Sequence, residues 1–351
     1  MDFSLANLGR QMIRINDKTI GEIEEIFKDR SYQKFRAKQV FHNLHVSLLN
    51  DFDEMTDLPL KMREDLKKDF KIDKIKVLET YESRIDSTKK YLLELEDKNI
   101  VEAVYMDYDN RSTICISSQV GCRMGCTFCA STKKGLTRNM TASELIEEVY
   151  LLERLNGPIS NIVIMGIGEP LDNFDNIKKF IEIITDPKGR NLSHRSITLS
   201  TSGLAPRIKD LAETGLDVNL ALSLHYADDK KRKAYMPVGK KYPIRDLIDA
   251  TDYYFDKTGR RVSFEYVVID KVNNLNEDVE NLHDLLFGKN VHINLIPLNP
   301  IEEFDHKKPG HGVLEDFKER LTRRGLNATI RRSMGSDIDA SCGQLRNNYA
   351  R

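Results

Sequence analysis

Apolar positions follow two rhythms, and the switch between them divides the chain. Near the start they recur every three or four residues. Ile20, Ile23, Ile26 and Phe27 make one stripe, which Thr19 is placed to cap. Phe35, Val40, Phe41, Leu44 and Leu48 make a second, predicting a helix from 32 to about 48. A third helix is predicted over 58–70, after a turn-like stretch at 51–57. Residues 1–90 therefore read as a small, mainly helical domain. Its outer faces carry Lys28, Arg30, Lys34, Arg36, Lys38, Lys61, Arg63, Lys67 and Lys68. Such a run is usually a solvated helix face; the functional alternative is a surface that grips phosphates.

From Lys74 the period becomes two. Strands are predicted over 91–95, 100–106 and 112–117, joined by Asp/Asn turns. Beyond them helix and strand alternate. Helices over 142–155, 177–184, 206–213, 244–257, 277–287 and 314–324 precede strands over 161–165, 196–200, 218–224, 262–269, 292–297 and 328–332. Thr141 and Glu144 stand at the two positions of a capping box. This alternation predicts an α/β fold whose parallel sheet is either open or curled into a barrel. Polar and glycine residues gather where the strands end: Gly166, Gly168 and Glu169, then Ser200 to Gly203, then Ser223 to His225, then Asn299. In parallel barrels that rim is where sites are built. The stretch 299–312 is the longest irregular one, a candidate substrate loop.

Composition narrows the class. At 351 residues the chain has room for a large domain and a small one. A hydrophobic fraction of 40% with 31% charged residues is that of an ordinary soluble protein. The start lacks a signal peptide's apolar core, and no run approaches the roughly 18 apolar residues of a membrane helix, so a cytoplasmic location is expected. The net charge of −1 does not advertise nucleic-acid binding, which would have to rest on local patches.

Chemistry concentrates in one loop. Three of the five cysteines, Cys122, Cys126 and Cys129, are spaced C-x₃-C-x₂-C. A structural zinc site wants four ligands, and no further Cys or His follows within twenty residues; zinc would need a distant partner such as Cys342. A [4Fe–4S] cluster held by three thiolates keeps one iron open for a ligand. Both readings stand on the residues alone: a cluster enzyme, or a non-catalytic RNA-binding protein with structural zinc.

The joint pattern resembles a known family. CISSQVGC followed by GCTFC, then MGIGEPLDN, LSTSG, SLH, NLIPLNP and GSDIDASCGQL, is similar to the RlmN/Cfr family of radical S-adenosylmethionine RNA methyltransferases over essentially the whole chain. Pro170 matches the C2-methylating branch, since C8-methylating sequences commonly carry Ala there. The resemblance implies a partial (β/α)₆ barrel over residues 91–335 and a C-terminal segment, 336–351, lying over the barrel mouth. It implies one [4Fe–4S] cluster on Cys122, Cys126 and Cys129, and S-adenosylmethionine used twice per turnover. Gly168, Glu169, Ser200, Ser223, Leu224, His225 and Asn299 would bind that cofactor. Cys342 would carry the methyl as a thioether, Cys115 would release the product through a transient disulfide, and Glu102 would accept a proton. The implied partners are 23S rRNA before ribosome assembly is complete, tRNA, and an electron donor such as flavodoxin or ferredoxin, acting on a monomer. Without the resemblance, Cys115 reads as a core thiol, Glu102 as a solvent-facing strand residue and His225 as a satisfied core side chain. Lys133, Lys134, Arg138, Arg331 and Arg332 make the best local case for phosphate contacts.

Overall fold

The structure, a computed structural model, describes residues 12–108 and 111–346. Residues 1–11 of the expected helical domain and 347–351 of the expected C-terminal segment lie outside the described residues.

A short strand, β1 (Ile13–Arg14), leads into α1 (Ile20–Asp29), α2 (Lys34–His45) and α3 (Leu60–Asp69). The start of α1 is a capping box: Thr19 Oγ1 accepts the Glu22 N–H at 3.3 Å, and the Glu22 carboxylate accepts the Thr19 N–H at 2.7 Å. Helix α2 is shorter than predicted at both ends. Ser31 and Leu48 hold positive φ angles of 60° and 56°, and each lies in a turn that leaves the helical path. Helix α3 starts after Pro59, because a residue preceding proline is pushed out of the helical region. Ile23, Phe27, Val40, Phe41, Leu44 and Leu66 close a separate small core, which ends at Ile72. Its basic faces are laced with acids: Lys34 pairs with Glu24, Lys67 with Asp53, Lys68 with Asp65 and Arg30 with Asp69.

After β2 (Phe70–Lys71), which pairs with β1, the chain enters a ten-stranded sheet. Strands β3 (Lys76–Glu82), β4 (Thr88–Glu94), β5 (Ile100–Tyr108) and β6 (Arg111–Ile116) form an antiparallel meander. The large sheet thus begins at Lys76, ahead of residue 90. A two-stranded ribbon, β7 (Gln119–Gly121) and β8 (Leu136–Asn139), flanks the cysteine loop; short and polar, it gave no periodic signal. Then follow α4 (Ala142–Asn156), β9 (Asn161–Ile164), α5 (Phe174–Ile184), β10 (Ile197–Thr201), α6 (Ala205–Ala212) and β11 (Asn219–Ser223). The rest is α7 (Asp229–Tyr235), α8 (Ile244–Thr258), β12 (Val262–Val268), α9 (Asn276–Leu286), β13 (Val291–Pro297), α10 (His311–Arg323) and β14 (Ala328–Ile330). Strands β6 and β9 to β14 run parallel in sequence order, as the alternation predicts.

Strands β3 and β14 are the two ends of this sheet, and the C-terminal segment ties one to the other. Asp337 accepts from Ser83 Oγ and the Arg84 N–H, both at 2.8 Å, and Asp86 accepts from the Gly335 N–H at 2.9 Å. Gly335 sits at φ 60°, where a Cβ would meet Ala340 at 2.7 Å and Thr88 at 2.8 Å, so only glycine lets the strap lie this close. The helical domain docks on α4. Asn16 and Ser143 exchange hydrogen bonds at 2.6 and 3.3 Å, and buried His45 meets the Tyr150 hydroxyl at 3.0 Å. Among the described residues no helix is long and apolar enough to cross a membrane.

Candidate active site

The cysteine loop leaves β7 and closes over a cavity of about 160 Å³ at the C-terminal ends of the parallel strands. Gly121 and Gly125 turn the backbone at φ 79° and 72°. Thr132 Oγ1 donates toward the carbonyls of Cys126 and Cys129 at 3.1 and 3.0 Å, and the Thr127 N–H reaches the Tyr235 carbonyl at 3.0 Å. So braced, Cys122, Cys126 and Cys129 all line the cavity. Burial pushes the Cys122 thiol up to about 12 and raises the other two. Such thiols ionise only where positive charge compensates them. One source is Arg232, wholly buried and close enough to Cys126 to interact with it; burial lowers its own pKa to about 10. Three thiols on one cavity wall with a cation behind them fit a cluster held from one side.

Gly168, Glu169, Pro170, Ser200, Ser223, His225 and Asn299 line the same cavity. Gly168, at φ 110°, brings the loop after β9 so near the link between β6 and β7 that a Cβ would lie 2.6 Å from Ser118 Oγ. Glu169 is buried and accepts the Ser202 and Leu171 N–H groups at 2.6 and 3.1 Å; burial raises its pKa while these bonds oppose the rise. The Ser200 and Ser223 hydroxyls stand 3.3 Å apart on neighbouring strands. A carboxylate, two hydroxyls and an amide are a donor and acceptor set suited to an amino acid and a ribose. His225 Nδ1 accepts the Val267 N–H at 3.0 Å, so any ring proton sits on Nε2; burial lowers its pKa to about 3 and keeps it neutral. Period two turns Ser223 inward and Leu224 the other way: the Leu224 side chain is fully buried in the main apolar core, so any contact it makes with a cofactor is through its backbone.

Cys342 also lines this cavity and, with Asn299 and Arg331, lines a second, smaller one of about 40 Å³. Cys115, on β6, faces that second space with Val104 and Met106. Two cysteines more than two hundred residues apart thus share one cavity, both as free thiols. Burial, then the nearness of Cys342, pushes Cys115 up to about 12. Arg331 lies between the spaces, with Glu265 Oε2 at 3.4 Å, and Cys342 contributes most to raising its pKa. The strap carrying Cys342 is stitched in place. Asn299 Nδ2 donates to the Cys342 carbonyl at 3.1 Å, the Ala130 N–H to that of Gly343 at 2.8 Å, and Ser131 Oγ to that of Leu345 at 2.7 Å.

Glu102 departs from the solvent-facing reading. It is 1% exposed, because β5 is an interior strand and the strap covers it. Its Oε2 accepts the Arg346 N–H at 2.6 Å, and Lys90 Nζ lies 3.4 Å from Oε1. It lines neither cavity. Arg138 does not offer an open cation, since Glu144 and Asp97 hold its guanidinium. Arg232 was missed altogether, because it stands in a charged run, 228–233, that reads as a solvated helix face.

Residues 13–72 match the ribosomal RNA large subunit methyltransferase N-terminal domain, and residues 116–286 match the radical SAM superfamily. A probable dual-specificity RNA methyltransferase RlmN of Lachnoclostridium phytofermentans is 49% identical over 340 residues, covering 97% of this chain and 96% of its own. Its counterpart in Alkaliphilus oremlandii is 48% identical, covering 94% and 96%. The crystal structure of a radical SAM methyltransferase from Sphaerobacter thermophilus superposes with a TM-score of 0.91 at 40% identity, over 95% of this chain and 99% of that one. Membership of the superfamily implies a [4Fe–4S] cluster and S-adenosylmethionine, the groups that the thiol wall and the polar rim fit. On two domain matches and near-full-length identity, this chain belongs to the RlmN family of dual-specificity RNA methyltransferases, within the radical SAM superfamily.

Proposed function

We propose that this protein methylates C2 of an adenosine in 23S rRNA and in tRNA, with Cys342 as methyl carrier and Cys115 as releasing thiol. The observation that carries this reading is the shared cavity of Cys115 and Cys342, adjoining the cavity of the three-cysteine loop. When bound, the cluster and two molecules of S-adenosylmethionine per turnover supply a methyl group and the means of removing a hydrogen atom from it. Adenine C2 has no nucleophilic lone pair, so a methyl held on sulfur and activated as a carbon radical is the workable route. The carbon bonded to Cys342 sulfur joins C2, and the ring must then lose the C2 proton together with the unpaired electron that the addition leaves on it, the electron passing back to the carrier that supplies single electrons. Glu102 takes that proton in this reading; the support for it is that this buried carboxylate holds the Arg346 N–H of the strap that carries Cys342. Cys115 then attacks Cys342 sulfur. The sulfur–carbon bond breaks with its electron pair left on carbon, which takes up a proton to complete the methyl, and a disulfide remains to be reduced. The single electrons come from a small carrier of the flavodoxin or ferredoxin class, and the protein acts as a monomer on rRNA that is not yet fully assembled.

The product settles the regiochemistry. Pro170 opens the 3₁₀ turn Pro170–Asn173 and lines the cavity, at the position where C8-methylating sequences differ. Nucleoside mass analysis after reaction with protein-free rRNA and tRNA should show 2-methyladenosine. Mainly 8-methyladenosine would overturn the C2 assignment, and neither product would overturn adenosine as the substrate.

Glu102 is tested by Glu102→Gln. Glutamine can still accept the Arg346 N–H, so the strap keeps its anchor, but it cannot take up a proton. Methyl loading of Cys342 should persist, RNA joined to Cys342 should accumulate, and turnover should fall by about a hundredfold or more. Lost methyl loading would instead make Glu102 an anchor of the strap and nothing more.

A further inference from the structure

A third cavity, of about 680 Å³, occupies the N-terminal half of the parallel sheet. Parallel barrels normally fill this space with bulky branched side chains. Here Thr113, Asn161, Thr198, Asn219, Ser263 and Asn294, one small polar residue from each of six successive strands, line it, with Met106, Val163 and Met165 on the side toward the thiols. Register places Thr113 opposite Asn161 and Thr198 opposite Asn219, so neighbouring strands present these groups at the same height. Such a lumen is built to be wet and to hydrogen-bond a polar guest.

The lining is strongly one-signed. Among the described residues it includes Arg111, Arg260, Arg261, Arg331 and Arg332 against one carboxylate, that of Glu265. That carboxylate is already engaged, accepting from Asn294 Nδ2 at 2.8 Å and facing Arg331 at 3.4 Å. Arg111 lies over the Tyr108 ring at 5.3 Å, pairing a flat aromatic face with a cation. The lumen is also continuous with the chemistry. Arg331 and Glu265 line both it and the cysteine-loop cavity, while Tyr108, Arg331 and Arg332 line both it and the cavity of the two thiols. The opposite approach is covered, because the strap is bonded to the cysteine loop at Ala130 and Ser131.

We propose that RNA reaches Cys342 from the lumen side: the unstacked adenosine passes Tyr108 into the polar lumen, and its flanking phosphates rest on Arg111, Arg260, Arg261 and Arg332. The proposal rests on the methyl-transfer reading above and adds to it the route and the residues that grip the substrate. Chemistry on a base requires taking it out of the stack, and single-stranded RNA is held by cations on its backbone and π-faces against its bases. The rim and lumen supply both, together with amides and hydroxyls for the base edge.

The test uses full-length protein with its cofactors reconstituted, and a fluorescent anticodon stem-loop RNA. Arg111 and Arg261 are exposed, so Arg111→Glu with Arg261→Glu should leave the fold intact. RNA affinity should fall at least about tenfold, and the slope of log K against log salt should become shallower by roughly 1.5. Reversing Arg195 and Arg323 elsewhere on the surface should change neither. A second variant, Thr198→Leu, fills the lumen as an ordinary barrel would; it should bind RNA yet form little RNA adduct, while Cys342 still gains its methyl by intact mass. Unchanged affinity and salt slope in the rim variant would overturn the route while wild-type methylation leaves the enzymatic reading standing. Loss of Cys342 loading in both variants would also overturn it, because the damage would then not be specific to RNA. A wild type that methylates no RNA would bring down both readings.

Discussion

Cys115→Ala is expected to load a methyl on Cys342, react with RNA once and stop there, covalently joined to its substrate. Cys342→Ala is expected to accept no methyl and form no adduct while keeping its iron. The two thiols line one cavity, yet they are not equivalent. Cys342 alone also lines the cavity of the cysteine loop, so it alone is within reach of a methyl donor there. Cys115, on a buried strand, reaches only the second space, and its sole available chemistry is attack on Cys342 sulfur. On a denaturing gel the Cys115→Ala species should run as a ribonuclease-sensitive shifted band, absent from Cys342→Ala. Turnover at the wild-type rate in Cys115→Ala, or identical behaviour of the two variants, would overturn this division of labour. A pH dependence follows for the wild type. Burial holds the Cys115 thiol near 12, and the thiolate is the nucleophile. The fraction ionised therefore rises about tenfold per pH unit below that value, and release of the RNA adduct should accelerate with pH across the neutral range. A release rate that is flat or falls with rising pH would mean that Cys115 is not the attacking group.

Much of this architecture was legible in residue spacing because burial writes a period into sequence. Ile20, Ile23 and Phe27 face one core, and the capping pair Thr19 and Glu22 marks where their helix begins. Alternating helix and strand gave the parallel order of β6 and β9 to β14, since each strand sets a buried apolar face against the helices that flank it in sequence. What spacing could not give were contacts between distant segments. Glu102 looks solvent-facing by alternation, and only the strap returning from residue 335 buries it. Arg232 sits in a run of six charged residues, 228–233, and is distinguished from Lys230 and Lys233 only by which side of α7 meets the cysteine loop. The lumen arginines come from three separate stretches, 111, 260–261 and 331–332, and no local pattern links them. Leu224 shows the reverse limit: a motif names three consecutive residues, but a strand aims only alternate side chains at a site, leaving Leu224 its backbone alone.

Replacing Cys122, Cys126 or Cys129 by Ala is expected to cost the protein its iron and sulfide together and all 5′-deoxyadenosine formation. With three thiolates the remaining pair cannot hold a cluster, and no fourth Cys or His in the loop can substitute for the one removed. Iron and sulfide assays on anaerobically purified wild type and variants read this directly; one equivalent of zinc without sulfide in the wild type would overturn it. Loss of the cluster also strips Arg232 of a partner. Its guanidinium is buried, interacts with Cys126 and Asp229, and donates to the Ser202 carbonyl at 2.6 Å. Burial holds the Cys126 thiol protonated once no cluster is bound, so all three variants leave this buried cation without its thiolate, and removing one partner of a buried charge pair costs about 3–5 kcal/mol. All three should therefore lose metal and thermal stability to a similar extent relative to the loaded wild type, and adding Arg232→Met should recover part of that stability in each. No recovery in any of the three would show that Arg232 is compensated elsewhere and does not stand behind the thiolate.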